Sequence, residues 1–244
     1  MHEKADGHAL ERLLADNEQL AEHNREHFDE DDVLCLNFMS APGAGKTTLI
    51  EKAIGQLKDR YRSFVIEGDM VGELDADRLK REDIEAFQIS TGKACHLDAA
   101  MVARVLHNLE LPEADIAFIE NVGNLVCPAE FPLGEHLRVV LLSVTEGADK
   151  PLKYPVIFHN CDAVVLTKCD LLPYVDFDRD MFVQALRALN HDAALFEVSA
   201  KSGSGLTPFV EWIVSCIKIQ RSTKGYSRGN KGEPKRDHVH LVSS

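Results

Sequence analysis

Residues 40–48 read Ser-Ala-Pro-Gly-Ala-Gly-Lys-Thr-Thr, a Gly-containing turn between an apolar run at 33–39 and a segment of helical pattern that begins at Lys46. The phosphate-cradling P-loop pattern asks for Gly, four residues, then Gly, Lys and Ser or Thr. Gly45, Lys46 and Thr47 fit it, and Ser40 stands where the first Gly belongs. The backbone N–H groups of Gly43, Ala44, Gly45, Lys46, Thr47 and Thr48 can then point at an anion where the helix dipole is positive. Lys46 is expected to reach the β and γ phosphates, and the Thr47 hydroxyl to ligate Mg²⁺. The competing reading is an ordinary turn with chance Gly residues, and the strand–turn–helix setting argues against it.

Two later stretches suggest which base such a site accepts. Thr167-Lys168-Cys169-Asp170 closes an apolar run, at the carboxyl end of a strand where open α/β sheets bind ligands. A carboxylate at Asp170 accepts from guanine N1–H and its 2-amino group, whereas adenine has an acceptor at N1 and no 2-amino donor. At roughly 1.5–3 kcal/mol for each bond to a charged group, two such bonds discriminate by about 10²- to 10⁴-fold. Ser199-Ala200-Lys201 follows another run, and the Ala200 N–H is placed to donate to guanine O6. Thr167 replaces the commoner Asn of guanine-reading loops and keeps one hydroxyl for a loop-bridging bond. GTP is the expected nucleotide.

Hydrolysis requires metal ligands and an aligned water. Asp69 and Glu120 each end an apolar run, and Asp69 is assigned to the Mg²⁺ shell through water, Glu120 to the outer shell or the attacking water. Asp75 follows in a loop and reads equally as a helix N-cap. A separate chemistry is offered by adjacent Cys95 and His96 and by Cys127, seven residues beyond Glu120. Thiolate and imidazole suit Zn²⁺ or Ni²⁺, but buried Cys and helix-capping His are ordinary, so spacing alone leaves a metal site open.

The elements that must position these groups follow from the apolar pattern. The runs "VLCLNFM", "SFVIEGD", "DIAFIEN", "RVVLLSV", "DAVVLTK" and "ALFEVSA" read as strands buried on both faces, with helical segments such as "LDAAMVARVLHNLE" and "DMFVQALRALN" between most of them. An α/β fold is predicted, with a mostly parallel sheet, helices on both faces and right-handed crossovers. Residues 33–220 are expected to form this domain, a GTPase domain if the nucleotide reading holds, with the candidate metal residues inside it. Residues 1–32 hold eleven Asp or Glu against three Lys or Arg, and Leu10, Leu13, Leu14 and Leu20 share one face of a solvated amphipathic helix. Residues 221–244 are polar and locally basic, and are expected to be disordered.

The 244 residues carry a formal net charge of −13, which argues against a sequence-independent nucleic-acid binder. No stretch has the length of a signal-peptide core or a membrane span, so a cytoplasmic protein without membrane contact is expected. The six cysteines are scattered, which suits core thiols or metal ligands better than a disulfide framework.

Taken together, "SAPGAGKTTL", "CHLDAAMV", "ENVGNLVCPAEFPLGE", "VTEGADKPLKYP", "TKCDLLPY" and "EVSAKSGSG" resemble the nickel-incorporation GTPases of hydrogenase maturation, the HypB family, over about residues 8–220. The resemblance implies a P-loop GTPase with slow intrinsic turnover, dimeric with GTP. It also implies work alongside a hydrogenase accessory protein to deliver nickel to the large subunit of [NiFe] hydrogenase. Cys95, His96 and Cys127 match the family's Ni²⁺ or Zn²⁺ site, and the apolar cluster Leu171, Leu172, Tyr174 and Val175 falls where the family's subunits meet. Some members carry an N-terminal Cys-rich motif or a long His run; here no Cys precedes Cys35, and the N-terminal histidines are His2, His8, His23 and His27. A GTPase chaperone for urease or a cobalamin enzyme shares the nucleotide site. A P-loop kinase using Lys46 and Glu120 would leave Asp170 without a use.

Overall fold

The computed structural model of the chain describes residues 2–69, 84–92, 94–108 and 113–228. Seven strands form one all-parallel sheet: β1 Leu34–Ser40, β2 Ser63–Asp69, β3 Glu85–Ser90, β4 Ile116–Glu120, β5 Leu137–Ser143, β6 Ala163–Thr167 and β7 Ala194–Glu197. Their order is β3-β2-β4-β1-β5-β6-β7, so β1 is central and the chain doubles back on either side of it. The carboxyl ends of β1, β2, β4 and β6, which carry the chemical residues, therefore open on one rim. The predicted parallel α/β architecture is the observed one.

Strand residues alternate between two cores. Leu34, Leu36, Phe38, Ile116, Phe118, Val139 and Leu141 face α2 (Lys46–Leu57) and the long C-terminal helix Leu206–Arg228, which contribute Leu49, Ile50, Phe209 and Ile213. Cys35, Ala117, Ile119, Val140 and Leu142 point the other way. There they meet α1 (His2–Glu30) and α3 (Ala99–Asn108) at one end of the sheet. At the other end they meet two short helices, α4 Lys150–Lys153 and α5 Pro155–His159, and α6 Arg179–Leu189. With both faces covered, each central strand reads as an unbroken apolar run.

Three expectations change. The edge strand β3, Glu-Ala-Phe-Gln-Ile-Ser, had no apolar run to announce it, because an edge strand half open to solvent carries polar residues. The C-terminal helix, α7, continues to Arg228, eight residues into the segment expected to be disordered; Gln220 donates to Val33 O at 3.3 Å and Arg221 pairs with Asp115, which ties its last described turns to the sheet. The docked face of α1 is also not the leucine face. Asn17, Ala21, Asn24 and Phe28 are buried, whereas Leu13 and Leu20 are 55% and 38% exposed.

The reason α1 docks through asparagines is what it docks on. Asn17 accepts from Ala99 N at 2.8 Å, an N–H at the start of α3 that has no partner inside its own helix, and donates to Pro132 O at 2.8 Å. Asn24 donates to Ala99 O and Leu133 O, both at 2.9 Å. Backbone polar groups presented to a helix face need amide partners, and leucine has none to give. Gly134 sits against this turn with φ 98°, and a Cβ there would lie 2.6 Å from Asn24 Cβ. Asn24→Ala should therefore destabilise the protein by about 1–3 kcal/mol, while Leu13→Ser should stay within about 0.5 kcal/mol. Urea midpoints of the two variants check this, and the reverse order would return the docking face to the leucines.

Candidate functional site

The turn after β1 has the backbone of a phosphate cradle. Gly43 and Gly45 adopt φ 75° and 98°, a region closed to most side chains, and no side chain caps α2, so its first N–H groups face the cavity. Lys46 is 8% exposed and folds back so that Nζ donates to Ser40 Oγ at 3.1 Å. Ser40 thus supplies a hydroxyl where the motif usually has Gly, a role the spacing did not reveal. Thr47 Oγ1 donates to Glu120 Oε1 at 2.8 Å. Around them a cavity of ≈ 410 Å³ is lined by Gly43, Lys46, Thr47, Thr48, Asp69, Glu120 and also Glu67. Glu67 is directly opposite Glu120 in the β2–β4 register and 3% exposed. It escaped the sequence reading because it lies inside a strand rather than at its end.

A second cavity of ≈ 370 Å³ shares Gly45 and Thr48 with the first and is lined by Ala44, Thr167, Lys168, Asp170, Leu171, Ala200 and Lys201. Thr167 Oγ1 donates to Ala44 O at 2.7 Å, the loop-bridging bond expected of it. Lys168, left-handed at φ 57°, donates from Nζ to Gly43 O at 2.7 Å, so two side chains of one loop hold the phosphate turn. Ser199 Oγ donates to Asp170 Oδ1 at 2.7 Å, which fixes the carboxylate in the cavity wall. All the predicted nucleotide residues are thus gathered around one continuous rim. Glu146, which accepts from Ser143 N, is an addition. Burial pushes its carboxyl up, while Lys150, Lys168 and Lys46 pull the other way. A further cavity of ≈ 460 Å³ lies at the amino ends of the strands, beside Val33, Arg62 and Asp115, and shares no residue with these two. Asp75 lies outside the described residues.

Cys95, His96 and Cys127 converge. Their ligand atoms lie within 4.8 Å of one another, and among the described residues no other trio of Cys, His or carboxylate residues does so. The two sulfurs are 3.2 Å apart; thiolates sharing one tetrahedral ion at 2.3 Å would be roughly 3.7 Å apart. Burial lowers the pKa of His96, favouring the neutral imidazole that a metal needs, and its ring packs on Phe131 with centroids 4.1 Å apart. The hydrogen bond with Cys95, then burial, raises the Cys127 thiol.

Residues 35–197 match the family described as CobW/HypB/UreG, nucleotide-binding domain. The chain is 48% identical over 202 residues to the hydrogenase maturation factor HypB of Azotobacter chroococcum, covering 82% of this chain and 66% of that one. The HypB branch is where it belongs. This chain thus spans about two thirds of that curated relative's length. HypB from Helicobacter pylori, solved in complex with nickel, superposes with a TM-score of 0.77 at 37% identity, over 84% of this chain and 96% of that one. HypB from Archaeoglobus fulgidus gives 0.77 at 39% identity, over 83% and 99%.

In this HypB-branch chain the Cys95–His96–Cys127 cluster and the cavity beside the phosphate turn share a wall. Asn121, next to Glu120, accepts from Leu97 N at 3.1 Å, and Leu97 follows His96. Gly68, beside Asp69, has no room for a Cβ, which would fall 2.6 Å from Leu97 Cγ. Gly123, between Glu120 and Cys127, packs so closely on the phosphate turn that a Cβ would lie 2.9 Å from Pro42 Cα. No sequence motif marked Asn121 or these two contacts, which exist only once β2, β4 and the turn are side by side.

The base-reading geometry makes a direct test available. Asp170→Asn should weaken GTP binding by about 10²-fold or more and shift preference toward xanthosine triphosphate, whose 2-carbonyl accepts from the new amide. Unchanged GTP affinity in calorimetric titration would remove Asp170 from base recognition.

Proposed function

We propose that the chain is a GTPase that assists nickel insertion into the large subunit of [NiFe] hydrogenase, acting in the cytoplasm with a hydrogenase accessory protein. The observation that carries this reading is the contact between the two sites: a three-ligand soft-metal cluster whose loop rests on the phosphate turn. GTP occupies the two joined cavities, its base against Asp170, Ala200 and Ser199 and its phosphates on residues 43–48. Lys46 neutralises charge on the β and γ phosphates. Mg²⁺ is held by Thr47 and, through water, Asp69. Glu120 fixes the Thr47 hydroxyl and would orient the attacking water, and turnover is expected to be slow.

Nickel, as cargo, is taken by Cys95, His96 and Cys127, a donor set that Zn²⁺ also satisfies. Three ligands leave a position for water or for a residue of a second copy. Leu171 and Val175 are half-buried and Tyr174 is 82% exposed, so this turn beside the base has apolar surface available for a GTP-favoured homodimer. A kinase reading leaves the Ser199–Asp170 pair without a purpose and is not favoured. A role toward urease or a cobalamin enzyme would use the same sites; the name of the A. chroococcum relative favours hydrogenase.

Linkage requires that if GTP changes nickel affinity, nickel changes GTP affinity by the same factor, typically about 5- to 150-fold. Chelator competition should give different Ni²⁺ affinities with GDP and with a non-hydrolysable GTP analogue. Cys127→Ala should remove binding and difference together. Gly123→Ala, which keeps all three ligands but crowds Pro42, should retain binding and shrink the difference. Equal affinities in the two nucleotide states would leave a metal site without a switch. In light scattering, the analogue should favour dimer over GDP, and Leu171→Asp with Val175→Asp should suppress it; a monomer with every nucleotide would refute the dimer.

A further inference from the structure

Three histidines meet far from the sites above. His23 and His27 are four residues apart on α1 and so share one face of the helix. His107, in the last turn of α3, stacks on His23 with ring centroids 5.2 Å apart at 21°, and meets His27 edge-on at 5.2 Å and 72°. Both α1 rings are also backed by carboxylates: His23 Nδ1 faces Glu26 Oε2 at 3.8 Å, and His27 Nδ1 faces Asp31 Oδ2 at 3.4 Å. Carboxylates are the usual outer partners of metal-bound histidines, and here both lie on the Nδ1 side of their rings, which leaves Nε2 of each as the ligand atom.

The spacing can be compared with coordination. Two imidazoles bound to one ion at about 2.0–2.1 Å, with each ring centre about 1.1 Å beyond its nitrogen, have centroids roughly 4.5–5.2 Å apart for bond angles of 90–109°. Both pairs that include His107 already fall at that distance. Their nitrogens do not yet converge as the ligand atoms of Cys95, His96 and Cys127 do. The motion required is a turn of exposed or half-buried rings about χ2, a soft torsion for histidine. Stacking alone is a weak reason to gather three imidazoles and two carboxylates at a solvent-facing helix junction.

We propose that His23, His27 and His107 form a second metal site, a tri-imidazole face that takes a borderline divalent ion such as Ni²⁺ or Zn²⁺, with water completing its coordination. The ion bridges α1 to the end of α3. His107 is about 12 Å along the α3 axis from Ala99, and His96 precedes that other end of the helix, so the two sites do not share an ion. The donors of the tri-imidazole site are nitrogen and oxygen only, which distinguishes it from the thiolate cluster.

The full chain carrying Cys95→Ala and Cys127→Ala isolates this site. Equilibrium dialysis against Ni²⁺ alone, and separately Zn²⁺ alone, should leave one ion per chain, with a nitrogen and oxygen shell and no sulfur by X-ray absorption. Adding His107→Ala, or His23→Gln with His27→Gln, should weaken that binding at least tenfold, and the ion should raise the melting temperature of the Cys-substituted chain but not of the His107→Ala version. Failure of the Cys-substituted chain to bind either ion would overturn the proposal, as would binding that survives His107→Ala, since the ion would then sit on other residues.

Discussion

The Thr47 hydroxyl donates to Glu120 across the gap between the first turn of α2 and the end of β4, and the chemistry on either side is placed relative to that bond. A hydroxyl has one proton and two lone pairs. Committing the proton to Glu120 leaves Thr47 Oγ1 with its lone pairs for a cation on the cavity side, which is the orientation Mg²⁺ would require in the proposed reaction. Glu120 in turn is paired in register with Glu67, both nearly buried. Two ionised carboxylates side by side repel, and the arrangement favours positive charge at this spot. Lys46 in the same cavity wall supplies some of it, and a divalent ion between the phosphates and Thr47 would supply more.

That constraint extends outward because Glu120 begins the loop that carries Cys127. The next residue, Asn121, holds Leu97 on the far side and its Nδ2 donates to Asn37 Oδ1 in β1 at 3.3 Å, so the segment just after His96 is registered to the central strand. Gly68 against Leu97 and Gly123 against Pro42 are contacts where a single methyl would force a shift. Closely packed contacts have little slack, so a displacement of the phosphate turn is passed on rather than absorbed. The Cys95–His96–Cys127 cluster is thus attached to the nucleotide site at two places, through Gly68 of β2 and through the loop after β4.

How much of this was legible in the sequence depended on whether the signal was local. The buried strands, the turn at 40–48 and the Thr167–Asp170 and Ser199–Lys201 loops could be read because each is a short pattern whose meaning does not need a partner. The edge strand β3 could not, since its outer side chains answer to solvent. The docked face of α1 was not legible either: the leucine spacing showed helical periodicity, while the surface the helix had to satisfy was the polar start of α3 and the carbonyls of Pro132 and Leu133. Glu67, Ser40 and Asn121 belong to the same class of miss: each acts through a residue distant in sequence or through a turn closed on itself. The three candidate metal ligands were nameable by resemblance, but their convergence to within 4.8 Å is a property of the fold.

A cluster wired this tightly to the nucleotide would be useless as a carrier if it were also buried. Here the two requirements are divided along the same short loop. Gly123 is pressed against Pro42, yet three residues on Val126 is 55% exposed, and Cys95, His96 and Cys127 are all only half-buried. Leu125 and Ala129, on either side of Cys127, are buried in the core, so the loop that carries this thiol is packed while the three side chains of the cluster stay half-exposed. A change at the phosphate turn would then reach Cys127 as the shift of a packed segment. Losing one of three ligands is enough to change how firmly an ion is held, so the same division would let GTP hydrolysis act on the metal without unfolding the core beneath it.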